Sequence, residues 1–154
     1  MTIRFHPIPT AHVRALQSGA PDANGQVPER HLSDGTGNPC RHCLGMIPEG
    51  AAMVILAHRP FPAVQPYAEV GPNFLCADPC VAGGGEGLPE MLSSTDYIVR
   101  GYSPEDRIVY GTGGVVATAD IPARAEALLA DARVAYVHVR SARNNCFQVR
   151  VERA

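Results

Sequence analysis

Residues Tyr136 to Glu152 alternate polar and apolar side chains on both sides of a short polar turn. Successive side chains on a strand point to opposite faces, so this pattern requires two paired antiparallel strands with one apolar and one polar face. Ala135, Val137 and Val139 fall on one face of the first strand, with Tyr136, His138 and Arg140 on the other; after the turn Phe147, Val149 and Val151 oppose Cys146, Gln148 and Arg150. A two-residue Asn144-Asn145 turn would set Arg140 against Val149 and mix the faces. A three-residue loop over Arg143–Asn145 instead pairs Arg140 with Gln148 and His138 with Arg150. The odd-length loop is therefore expected, with an asparagine in the left-handed region. This register puts His138 and Cys146 on one face about 13 Å apart, too far for a hydrogen-bonded dyad. Arg140 and Arg143 are then the nearest fixed charges to Cys146, and cations beside a thiol favour its thiolate.

The rest of the chain supplies further strands and one main helix. Residues 1 to 9 read as a short edge strand, and Thr10 is placed to cap a brief helix over Ala11 to Ser18 that stops at Gly19. Residues 20 to 39 are rich in Gly, Pro, Asp and Asn without periodicity, which predicts a long surface loop inside a single domain spanning residues 1–154. Ala51 to His58 is an apolar run of strand length; Tyr67 to Val70 and Asn73 to Cys76 are shorter candidates, and Thr95 to Tyr102 with Arg107 to Tyr110 read as a hairpin. Gly83-Gly84-Gly85 reads as a flexible turn, and Gly111-Thr112-Gly113-Gly114 as a plain turn without the Lys-Ser/Thr of a phosphate loop. Asp120 precedes a segment whose Ile121, Ala125, Leu128, Leu129 and Ala132 share one stripe, with Pro122 tolerable in the first turn. The predicted fold is α+β: a mainly antiparallel sheet of about five to seven strands with one main helix, Ile121 to Ala132, packed on one face.

Composition bounds the compartment and the partners. A chain of 154 residues with 45% hydrophobic content is long enough to bury a true core, and 6% aromatics without tryptophan makes that core aliphatic. A formal net charge of −2 excludes bulk attraction to nucleic acid. No apolar run reaches spanning length and the proline-broken start lacks a secretory core, so no membrane association is expected and the location expected is cytoplasmic. Five cysteines in that setting read as thiols or metal ligands and not as a disulfide framework.

Four of these cysteines form two chelating pairs. Cys40-Arg41-His42-Cys43 and Cys76-Ala77-Asp78-Pro79-Cys80 have spacings that let two thiolates grip one tetrahedral Zn²⁺, and two such pairs complete a four-sulfur site. A redox reading of Cys40-x-x-Cys43 lacks the helix that such motifs require, since Leu44-Gly45-Met46-Ile47-Pro48 follows. His42, between two cysteines, is a better candidate partner for a thiol than His138, whereas His6, His12, His31 and His58 read as ordinary edge, helix or loop residues.

Larger blocks carry a family resemblance. Pro39-Cys40-Arg41 with Leu44, the segment Pro66 to Phe74, Arg107 to Gly113, and Tyr136-Val137-His138 through Asn145-Cys146-Phe147 to Arg150 resemble the bacterial family labelled domain of unknown function 1203 over nearly the whole chain. The resemblance implies a compact α+β domain and brings no assigned activity. It also implies that Cys40 and Cys146 occupy the characteristic thiol positions, that a four-cysteine zinc site belongs to a subgroup at most, and that the general site comprises Cys40, Arg41, His138 and Cys146.

Three function classes follow. In a thiol-dependent enzyme, Cys146 or Cys40 attacks an electrophile, His138 moves a proton, and Arg41, Arg140, Arg143 and Gln148 hold a small anionic substrate. In a non-catalytic small-ligand or partner-binding module, Cys40, Cys43, Cys76 and Cys80 hold structural zinc. In the third class the cysteines are buried and inert and the arginines are a solvated face. The expected site is a polar pocket on the sheet face lined by histidine, arginine and cysteine, and the oligomeric state is left open.

Overall fold

The alternating C-terminal segment forms an antiparallel pair at the centre of the structure, a computed structural model that describes residues 2–154. In chain order the elements are β1 (Ile3–His6), α1 (Thr10–Gln17), β2 (Glu29–Leu32), β3 (Ala52–His58), β4 (Gly71–Cys76), β5 (Asp96–Tyr102), β6 (Gly114–Ala117), a 3₁₀ turn (Thr118–Asp120), α2 (Ile121–Leu129), β7 (Tyr136–Ser141) and β8 (Phe147–Arg153). The fold is α+β, and its strands divide into two antiparallel sheets, five-stranded in the order β1-β8-β7-β5-β6 and three-stranded in the order β2-β3-β4.

Helix α2 covers the apolar face of the larger sheet. Ile121, Ala125, Leu128 and Leu129 pack with Val99, Val137, Val139, Val149 and Val151 in one buried cluster, at about 1.5–3 kcal/mol for each large side chain removed from water. The helix ends at Leu129 and not at Ala132, because the Asp131 carboxylate accepts the Arg133 backbone N–H at 2.9 Å and turns the chain. Neither Thr10 nor Asp120 caps its helix with a side-chain bond.

The smaller sheet has its own core. Val13 and Leu16 of α1 meet Met53, Val54 and Leu56 of β3 and Leu75 of β4. Strand β2 lies inside the segment expected to be loop. All four of its residues are exposed, and it is held by main-chain pairing to β3, which leaves no apolar pattern to read. Asp22 secures the preceding chain by accepting the Ala57 amide at 2.9 Å. The expected strands over Tyr67–Val70 and Arg107–Tyr110 do not form; the second contributes one bridge, Tyr102 to Ile108, and β5 takes β6 as its edge partner.

The polar face of the larger sheet is covered, so β7 is buried on both sides from Tyr136 to Arg140. The chain after β3 lays Phe61 against Tyr102 and Tyr136. Glu69 reaches Arg140 at 2.6 Å and Arg100 at 3.3 Å. No helix among the described residues is long and apolar enough to cross a membrane.

Candidate functional site

The two cysteine pairs meet. Cys40 and Cys43 sit on a tight loop in which Cys40 N–H bonds the Gly45 carbonyl at 2.9 Å, Leu44 N–H bonds the Cys40 carbonyl at 2.9 Å, and Leu44 takes a positive φ of 59°. Cys76 ends β4, and Cys80 lies four residues on, after a bend at Ala77 and Asp78. The four Sγ atoms lie within 4.8 Å of one another, so these residues could hold a metal ion. A tetrahedron with metal–sulfur bonds of about 2.3 Å has sulfur–sulfur edges of about 3.8 Å, and Cys40 and Cys80 are already at 3.9 Å.

The surroundings are built to hold these loops. Helix α1 grips the second pair, with Gln17 Nε2 donating to the Cys76 carbonyl at 2.8 Å and Arg14 donating to the Cys80 carbonyl at 2.6 Å. His42 is fully buried, with Nδ1 at 3.1 Å from Cys80 Sγ and Nε2 at 2.9 Å from Thr10 Oγ1. A neutral ring satisfies both contacts if Nδ1–H donates to sulfur and Nε2 accepts the hydroxyl proton, the kind of outer-shell bond that orients metal ligands. Thr10 is thus spent on the Cys40–Cys43 loop, through His42, and not on its helix.

Charge in the cluster is lopsided. S–H bonds from Cys43 and Cys76 and the Cys76 N–H pull the Cys40 thiol far below its usual range. Its neighbours move the other way: donation to Cys40 raises Cys43 and Cys76, and burial pushes Cys80 up to about 11. Four adjacent sulfurs carry one negative charge readily, and further thiolates need a cation.

The C-terminal hairpin corrects the expected register in one respect. His138 faces Arg150 and Asn145 has the left-handed φ of 56°, both as expected. The loop is longer, however, with Ser141 N–H bonding the Cys146 carbonyl at 2.9 Å, and a bulge at Gln148 absorbs the extra step so that Arg140 pairs with Phe147. One residue of slip exchanges faces. Phe147 therefore joins the polar face, with its ring 4.8 Å from that of His138, while Cys146 falls in step with Ser141 and leaves that face.

His138 and Cys146 consequently open onto different clefts. Cys146 lines one of about 190 Å³ together with Arg41, Gln148, Ser141 and Tyr97. Arg41 is buried there, its Nε bonding the Phe147 carbonyl at 3.0 Å and its pKa lowered to about 10 by desolvation. Arg140 and Arg143 are engaged elsewhere. Arg140 bonds Asn145 Oδ1 at 3.0 Å besides its ion pair with Glu69, and Arg143 pairs with Asp96 at 2.8 Å. Cys40 is fully buried in the sulfur cluster.

His138 borders a larger cleft of about 560 Å³, formed with residues that sequence reasoning passed over: His58, Arg59 and Phe61. Their signal is the way the apolar run of β3 ends on His58-Arg59-Pro60-Phe61-Pro62. Burial first, then the guanidinium groups of Arg150, Arg140 and Arg100, hold His138 well below the usual imidazole range, and burial pulls His58 down to about 3. Both rings are neutral in the fold, whereas in the unfolded chain they titrate near 6.5. Stability should therefore be complete above about pH 6.5 and fall as pH drops towards 3, with a limiting slope of about 2.7 kcal/mol per pH unit for two groups. Urea titrations between pH 7 and 5 check this. His138→Phe should lower the slope by about 1.4 kcal/mol per pH unit, which separates its imidazole from His42, whose pKa burial also lowers, and from the sulfur cluster; a flat profile would contradict it.

The family model described as a protein of unknown function, DUF1203, matches residues 37–153. No curated protein matches the chain, and no solved structure does. Because the match takes in both cysteine pairs, the covered sheet face and the C-terminal hairpin, the chain belongs to the DUF1203 family.

Proposed function

We propose that this protein is a zinc-stapled module that binds a small ligand without turning it over. The observation that carries the reading is the approach of four sulfurs, from two loops far apart in sequence, to within 4.8 Å of one another. Soft thiolates at tetrahedral spacing favour Zn²⁺, and with all four positions taken by sulfur the ion supplies a cross-link and leaves no open position for water. Cys40, Cys43, Cys76 and Cys80 would hold it, with His42 and the Cys76 N–H, 3.3 Å from Cys40 Sγ, stabilising the thiolates. The cross-link ties β4 to the loop before β3, the framework behind both clefts. Untagged protein purified without chelator should contain about one zinc per chain and react with a thiol reagent at Cys146 alone until a chelator is added. Protein that stays free of zinc after refolding with it, with five reactive thiols, rejects the reading.

One observation favours a second reading, a thiol-dependent enzyme: Cys146, Arg41 and Gln148 share a cleft. Arg41 and Gln148 would hold a small anionic substrate, and the Cys146 thiolate would attack its electrophilic carbon, the sulfur–carbon bond forming as the bond to a leaving group breaks and that group departs to solvent with its electron pair. His138 lies outside this cleft, so the proton would go to solvent. Iodoacetamide labelling followed peptide by peptide decides this. Cys146 reacts first under either reading, so the enzyme reading stands on its rate slowing several-fold in Arg41→Met and fails if that rate is unchanged.

A further inference from the structure

The cleft bordered by His138 has the composition of a site for one class of small molecule. It lies where the end of β1, the chain after β3 and the polar face of the larger sheet converge, and its volume of about 560 Å³ is within the range of small-molecule pockets. Phe61 and Phe147 supply aromatic walls, with ring centroids 5.3 Å and 4.8 Å from that of His138.

Charge in the cleft is unbalanced by one. Arg150 is engaged by Glu152, which also receives His6 Nε2 at 3.7 Å, and the Arg150 guanidinium lies 3.6 Å above the Tyr136 ring. Arg59 donates its Nε to the Phe61 carbonyl at 3.1 Å and has no carboxylate partner among the described residues. A dianion would meet Glu152, and a cation would meet Arg59. One negative charge on the ligand balances the site.

The cleft also holds unspent hydrogen-bonding capacity. His138 is fully buried and neither ring nitrogen has a partner. Buried polar atoms in folded proteins are nearly always bonded, and an exception points to a water or a ligand atom. His58 stands nearby, its ring 5.5 Å from that of Phe147.

We infer that this cleft binds a planar aromatic monocarboxylate carrying a second polar group, with its ring between Phe61 and Phe147, its carboxylate on Arg59 and its polar group towards His58 and His138. The inference rests on the ligand-binding reading above and names the ligand class for it. Aromatic pairing favours a flat ring over an aliphatic chain of equal volume, and a guanidinium fork favours a carboxylate.

The test uses the protein as purified, with isotopically labelled histidine, and four probes: 4-hydroxybenzoate, benzoate, acetate and the uncharged 4-hydroxybenzyl alcohol. 4-Hydroxybenzoate should shift the His58 and His138 resonances saturably, with a dissociation constant of about 1 mM or tighter, followed by benzoate and then the alcohol, with no shift from acetate. Arg59→Met should weaken 4-hydroxybenzoate about tenfold or more and leave the alcohol unchanged, and Arg59→Lys should restore part of the loss. Acetate binding as tightly as 4-hydroxybenzoate would overturn the inference by showing a bare anion site. The alcohol binding as tightly, or Arg59→Met having no effect, would overturn the carboxylate assignment and leave the binding module standing. If none of the four probes moves either histidine, this inference and the ligand-binding reading fail together, while the zinc count is decided separately.

Discussion

Cys80→Ser should strip the zinc proposed for the four-sulfur cluster and lower the melting temperature by about 8–16 °C. Metal bound by the folded chain and not by the unfolded one adds its binding free energy to folding. Loss of one of four thiolate ligands is expected to remove roughly 4 kcal/mol or more, and a chain of this size loses about 2–4 °C per kcal/mol. Cys80 is only half-buried, so the smaller oxygen creates no large cavity of its own, but the variant also loses the 3.1 Å contact with His42. Zinc analysis and thermal melts of the same sample must fall together. Cys146→Ser, outside the cluster, should stay within about 2 °C of the parent. A Cys80→Ser protein that keeps both its zinc and its melting temperature would dispose of the centre.

Gly83→Ala should be as damaging, through sterics alone. A Cβ at this position would lie 2.1 Å from the Cys43 carbonyl oxygen and 2.7 Å from its carbon, and backbone atoms have no rotamer by which to move aside. The segment is also fixed in place. Gly83 N–H bonds the His42 carbonyl at 2.8 Å, and Gly85 exchanges two main-chain bonds with Phe5 of β1, at 2.7 and 3.1 Å. An alanine must therefore push the Cys40–Cys43 loop and β1 apart, at an expected loss of about 3 kcal/mol or more. Gly87→Ala is the control, since a Cβ there meets nothing within 4 Å, and it should be neutral or slightly stabilising. Denaturant midpoints measure both. A Gly83→Ala variant within about 0.5 kcal/mol of the parent would show that the close approach is not rigid.

Those glycines illustrate what the sequence withheld. Gly83-Gly84-Gly85 reads as a flexible turn, yet a Cβ at Gly84 would lie 2.5 Å from the Phe5 carbonyl oxygen, so the run marks a place where backbones meet. Three glycines look the same in either role, because the reason for them lies in residues 5 and 42–44, far away in sequence. His58, Arg59 and Phe61 were passed over for a similar reason. No local pattern shows that the chain leaving β3 folds back over the polar face of the larger sheet.

By itself the sequence determined the features that its local period and spacing carry most strongly: the β7–β8 pair from alternation, β3 from its apolar run, α2 from its apolar stripe, and two metal-capable loops from two- and three-residue gaps between cysteines. It also paired His138 with Arg150, since only that parity keeps valines with valines. Only the tertiary structure decided which side chains share a site. A bulge at Gln148 moved Cys146 off the His138 face, and packing of the smaller sheet and the chain after β3 divided the residues of the expected single polar pocket between two separate clefts. The physical reason is that strand periodicity is set by each residue's own backbone, whereas a bulge and the covering of a face are set by how two sheets close on one another.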